Sequence, residues 1–137
     1  MTARDVTGRE YRALAQFRHR LRQFLRFSEE AARAEGLTPS QHQLLLAVRG
    51  WWGDGEPSVG DVAEALQLRH HSAVELVQRA EAAGLVRSSV DPADGRRHLL
   101  RLTSAGERRL ARLSDLHRNE LRQFRDDLQA VLSPLDL

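Results

Sequence analysis

Two short runs hold the residues best suited to chemistry. Arg69-His70-His71-Ser72, with Glu75 one helical turn on, brings a guanidinium, two imidazoles, a hydroxyl and a carboxylate together. Asp94, Arg96 and Arg97 close the second run, Asp91-Pro92-Ala93-Asp94-Gly95-Arg96-Arg97. Most of these groups are cations or hydrogen-bond donors. What they suit is anionic or acceptor oxygen: phosphate, or the edges of bases. All 21 basic residues are Arg, and Lys and Ile are absent, as GC-rich coding favours. Every cation is therefore a planar guanidinium, with no flexible ammonium to share the task.

The net charge of +2 is small but unevenly placed. It is +3 over residues 1–36, −3 over 37–68, +4 over 69–112 and −2 over 113–137. Both runs fall in the most basic block. Two readings stand open on charge alone: a nucleic-acid footprint and an ordinary solvated surface.

Several chemistries are excluded. With no Cys there is no disulfide, thiol nucleophile, thiol redox switch or Cys-based zinc site. No nucleophile–base pair, phosphate-cradling Gly loop or motif-bearing carboxylate pair is present, so an enzyme is not expected. Nor is a cofactor expected. His70 and His71 are adjacent on a helix and point about 100° apart, which keeps them from sharing one metal ion. No stretch nears the ~20 apolar residues of a membrane span. Residues Met1 to Glu10 lack the apolar core of a signal peptide, so the expected location is the cytoplasm.

The elements that must position these groups are mostly helical. A chain of 137 residues suits one domain, 1–137. Leu14, Phe17, Leu21, Phe24, Leu25, Ser28, Ala31 and Ala32 follow helical spacing, and Gly36 stops a long first helix. Thr38-Pro39-Ser40-Gln41 reads as a capping box with Pro at the first helical position, opening a second helix that ends at Gly50. Trp51 to Pro57 is a loop. Its Trp pair could stack on bases. The favoured reading is that both rings plug the loop against a helix, because no Arg cluster accompanies them. Ser58 caps a third short helix, and a break at Gln67-Leu68-Arg69 leads to a fourth that Gly84 ends. Ala73, Val74, Leu76, Val77 and Ala80 are its expected inner face. Leu85–Val90 and His98–Leu102 predict a hairpin around a turn over 91–95. Thr103 opens the last helix, where Leu110, Leu113, His117, Leu121, Phe124, Leu128 and Val131 form a seam of roughly 3.5-residue period. The fold class is mainly α with a small β-hairpin wing: a winged helix-turn-helix between long N- and C-terminal helices.

In these residues the chain resembles the MarR family of transcriptional regulators. Leu37-Thr38-Pro39-Ser40-Gln41-His42 resembles the start of the family's second helix, and Val62-Ala63-Glu64-Ala65-Leu66 resembles its third helix. Val77 to Val86 resembles the end of its recognition helix and the first wing strand. The wing run 91–97, followed by Leu102-Thr103-Ser104-Ala105-Gly106, is the most specific match. The resemblance implies dimerisation helices at 9–36 and 103–132 and a DNA-binding region at 37–102. It implies a homodimer on double-stranded DNA, a repressor under control of a small-molecule effector, and no membrane partner.

By the same resemblance Arg69, His70, His71, Ser72 and Glu75 face the major groove. Arg69 or His70 donates to guanine or phosphate and Ser72 to phosphate. Glu75 either accepts from a cytosine amine or pairs with a neighbouring Arg, the latter being favoured. Protonated His70 and His71 would strengthen phosphate binding. Arg96 matches the family's minor-groove arginine and Asp94 the acid that orients it, with Arg97 beside them. Arg79 is expected to pair with an acid or backbone group near the wing. Arg108, Arg109 and Arg112 are expected to be solvated. The chain departs from the family pattern where Ser is common at position 69, Arg at 70 and often Arg at 75. The resemblance also admits a zinc site using His42 or His117, though a packed interface histidine is the simpler role for His117. The rival functions are a winged-helix protein-interaction module, suggested by His70, His71 and Glu75, and a nonspecific architectural DNA binder.

Overall fold

The computed structural model describes residues 4–137. The chain runs α1 (Gly8–Ala34), α2 (Pro39–Arg49), α3 (Val59–Ala65), α4 (His70–Ala82), β1 (Val86–Asp91), β2 (Asp94–Leu102) and α5 (Ser104–Leu132), then a 3-10 turn at Ser133–Leu135. Among the described residues no helix is long and apolar enough to cross a membrane. The chain forms two compact units. One is Ala32–Ser114; the other joins the chain before Ala32 to Asp115–Leu137.

The Ala32–Ser114 unit is a winged helix-turn-helix. Leu44 and Leu45 of α2, Val62 of α3, Ala73, Val77 and Ala80 of α4, Leu85, Val86 and Leu100 of the hairpin, and Leu110 and Leu113 of α5 fill its core. Val74 and Leu76 are only half-buried, so the inner face of α4 is narrower than the periodicity suggests. The helix starts are set by local chemistry. Thr38 Oγ1 accepts from the Gln41 amide at 3.1 Å while Gln41 Oε1 accepts from the Thr38 amide at 3.0 Å. Ser58 and Asp61 repeat the exchange at 3.0 and 2.9 Å, as expected of a capping box. Between α3 and α4 the chain turns through Gln67, whose φ is 55°. The Leu68 amide donates to the Ala63 carbonyl and the Gln67 amide to Glu64, a helix end usually left to Gly. A glutamine there gives no signal in sequence beyond a break.

The wing differs in detail from its sequence pattern. Spacing predicts a turn over 91–95, but the turn is Pro92-Ala93 alone and β2 already starts at Asp94. The ladder pairs Val90 with His98 and then Asp91 with Asp94. Gly95, Arg96 and Arg97 are left as an outward bulge, which re-aims side chains that a regular ladder would alternate. At the other end of β2, Leu100 donates to the Pro57 carbonyl at 2.9 Å and Leu99 bridges Ser58.

In the second unit, Phe24 stacks on Phe124 with centroids 5.0 Å apart. His117 meets Phe24 and Phe27 edge-on at 6.0 and 5.4 Å, and its Nε2 lies 2.8 Å from Ser28 Oγ. Arg20 pairs with Asp127 at 3.8 Å. The stripes predicted for both long helices are only partly buried. Leu14 and Leu25 of α1 and Leu116 and Leu121 of α5 remain exposed.

Candidate nucleic-acid interface

The start of α4 is unlike those of α2 and α3. Its N-cap is Arg69, extended at φ −65° and ψ 149°, and no side chain caps it. The amides of the first turn are thus left with the helix's partial positive charge and no local acceptor, the arrangement that suits an incoming anion. Arg69, His70 and His71 are exposed around this end and Ser72 is half-buried, while Ala73, one residue on, is fully buried and anchors the helix.

Two grooves flank α4. The first, of about 540 Å³, brings His70, Val74 and Gln78 of α4 to Arg96, Arg97 and His98 of the wing. The second lies against α2 and gathers Ser72, Glu75 and Arg79 with Thr38, Ser40 and Gln41. His71 lines neither groove. Of the sequence-predicted residues, His70, Arg96 and Arg97 therefore share one groove, and Ser72 and Glu75 the other. His98, Gln78, Arg79 and Ser40 were not among the predicted site residues. Their signal is tertiary, since each reaches its groove by packing of distant segments.

The two wing arginines have different settings. Asp94 Oδ1 accepts from the Arg96 amide at 3.0 Å and lies 3.5 Å from Arg96 Nε. The Arg96 side chain is otherwise 94% exposed. Such an exposed pair adds little stability; it aims the guanidinium outward. The Arg97 side chain is 46% exposed and lies between carboxylates: Nη2 is 3.3 Å from Asp61 of the α3 cap and Nη1 is 3.6 Å from Asp91. Arg97 thus ties the wing to α3, a role its neighbouring position does not suggest.

Other pairings also depart from expectation. Arg79 and Glu75 are exposed and make no ion pair among the described residues, because α4 turns both outward. Arg112 is exposed as expected, and it also pairs with Glu35. Trp51 is half-buried, but Trp52 is 75% exposed and packs against it in a tilted arrangement with centroids 5.0 Å apart. Trp52 therefore does not plug the loop against a helix. Among the described residues no three His, Asp or Glu side chains gather at a common point suited to a metal ion. His42 is buried in the winged unit.

If the wing meets DNA, replacing Arg96 with Ala should weaken duplex binding about tenfold across unrelated sequences and lower the salt slope by about one, since it removes one outward-facing cation. Fluorescence anisotropy at several salt concentrations checks this. Unaltered affinity would remove Arg96 from the interface.

Comparison with known proteins places this geometry. Residues 35–97 match the model of the MarR family. The transcriptional regulator HosA of Escherichia coli O111:H- is 35% identical over 99 residues, 68% of either chain. A Thauera aromatica protein named for transcriptional regulation of the hcr operon is 29% identical over 90 residues, 66% of this chain and 52% of that one. The match thus spans about half the length of that relative. Among solved structures, AbsC, a MarR family regulator of Streptomyces coelicolor, superposes with a TM-score of 0.75 at 24% identity, over 98% of this chain and 91% of its own. A mutant of S. aureus MepR bound to an oligodeoxyribonucleotide gives 0.69 at 22% identity, over 88% and 96%. These two likenesses carry the winged fold.

Proposed function

Because this chain belongs to the MarR family, we propose that it is a sequence-specific DNA-binding transcriptional regulator, acting as a homodimeric repressor. The observation that carries this reading is the uncapped start of α4, flanked by Arg69, His70 and His71, beside the outward Arg96 of the wing. Residues 37–102 are the DNA-binding region. The α4 amides, Arg69 and Ser72 take phosphate; His70, His71 and Glu75 meet base edges in the major groove. Arg96, oriented by Asp94, enters the adjacent minor groove, where A·T-rich sequence concentrates negative potential. Arg97 holds the wing in place. The protein acts by occupying DNA, not by catalysis, and it does so in the cytoplasm.

Helices 9–36 and 103–132 form the dimer. The exposed Leu14, Leu25, Leu116 and Leu121 supply apolar area for a second copy. A two-fold axis then sets the two recognition helices about 34 Å apart, one turn of DNA. A small-molecule effector releases the operator by favouring a different spacing, which it does only through unequal affinity for the two arrangements.

Selection of bound duplexes from random DNA tests this. The expected result is a palindrome with half-sites about 10 base pairs apart, centre to centre. Binding without sequence preference would instead support an architectural protein. No binding at low salt would support a protein-interaction module.

A further inference from the structure

The loop between α2 and α3 has no part in the DNA-binding reading, yet it is tied to neighbouring elements at both ends. At its start Arg49 makes an exposed pair with Glu107 in the first turn of α5 at 3.0 Å. The Leu100 amide on the Pro57 carbonyl anchors its end, on the part of β2 remote from the Pro92-Ala93 tip. Between these anchors Trp51 lies against Gly53. A Cβ at Gly53 would come within 2.7 Å of Trp51 Nε1, so only glycine lets the indole settle there. Trp52 packs against Trp51 in a tilted arrangement and leaves most of its own surface in solvent.

Charge decides what that ring can receive. Asp54 and Glu56 follow within four positions, both exposed, and neither makes an ion pair among the described residues. Arg49 is the sole cation of residues 37–68 and is already paired with Glu107. Phosphates would be repelled here. A guanidinium would be attracted by the carboxylates and could lie flat on the indole. Residues 52–56 are all exposed, so a small cation would gain little contact area here. A cation carried on a protein surface could cover the ring.

We propose that Trp52, Asp54 and Glu56 form a docking surface for an arginine side chain of a partner protein. This goes beyond DNA binding and does not rest on it. The chain has two Trp, both in this loop, so Trp emission excited beyond the Tyr11 absorption comes from this loop alone. Full-length protein is titrated with a hexa-arginine peptide and, in parallel, a hexa-lysine peptide at low salt. Saturable change in Trp emission is expected, with arginine bound more tightly than lysine. Trp52→Ala should weaken the arginine peptide about two- to fivefold, and Asp54→Asn with Glu56→Gln should weaken it further and flatten its salt dependence. Both variants should bind operator DNA as the parent does. Unchanged emission, or peptide affinity indifferent to these variants, would overturn the proposal. So would emission that responds to duplex DNA instead, which would make the ring a base platform. Emission that shifts with protein concentration and loses that shift in Trp52→Ala would make a second copy the occupant, and would equally overturn it.

Discussion

Arg69→Asp should make the protein more stable and nearly abolish its binding to DNA. Position 69 already has the extended backbone of an N-cap and lacks only a side-chain acceptor. Aspartate would accept from the free amides of His71 or Ser72 and meet the positive end of the helix dipole, a gain of about 1 kcal/mol. For a chain of this size that raises the melting temperature by roughly 3–5 °C. The same carboxylate would occupy the amides that the proposed function gives to phosphate and change the local charge by two units. Duplex affinity should fall about 100-fold near physiological salt, with the salt slope reduced by about two. Thermal melting and anisotropy on one preparation give both numbers. Increased stability with undiminished binding would take the start of α4 out of the interface.

Gly106→Ala should be the most damaging single methyl in the winged unit. Gly106 is buried in the first turn of α5, and a Cβ there would stand 2.2 Å from the Leu85 carbonyl oxygen. That oxygen accepts from the Thr103 amide at 3.0 Å, and Thr103 Oγ1 donates to the Gly84 carbonyl at 2.6 Å. Thr103 Oγ1 in turn accepts from the Gly106 amide at 3.1 Å. The methyl can be admitted only by moving α5 off the start of β1, which strains this whole set. Alanine favours helix by about 1 kcal/mol over glycine, too little to offset the overlap. A net loss of about 3 kcal/mol is expected from urea unfolding. Gly60→Ala is the control. Its Cβ would meet nothing closer than Ser58 Oγ at 3.6 Å, so it should be neutral or stabilise by up to about 1 kcal/mol. Equal effects at the two positions would refute the steric account.

The parts of this protein readable from sequence are those written within a few residues. Thr38 and Gln41, or Ser58 and Asp61, complete a capping box inside one turn of chain. Apolar spacing marks every helix, and Asp91 to Gly95 announces a hairpin. The run from Asp91 to Gly106 carries the family resemblance by residue type and spacing alone. That neither Glu75 nor Arg79 finds an ion-pair partner among the described residues was not readable, because a helix pattern gives the face but not what faces it. The left-handed Gln67 was hidden for another reason: its residue type does not mark that conformation.

The candidate interface divides in the same way. Residue order already dictates which positions carry positive charge and hydrogen-bond donors, which helix holds them, and that a tight turn precedes Arg96 and Arg97. That these two neighbours part company is settled only when the chain is folded. The bulge over 95–97 leaves Arg96 in solvent, while Arg97 meets Asp61, 36 positions away. Local chemistry acts through bonds and periodicity that a short stretch contains. A pairing between distant segments exists only once the core of Leu44, Val62, Val77 and Leu100 has brought α3 and the wing together.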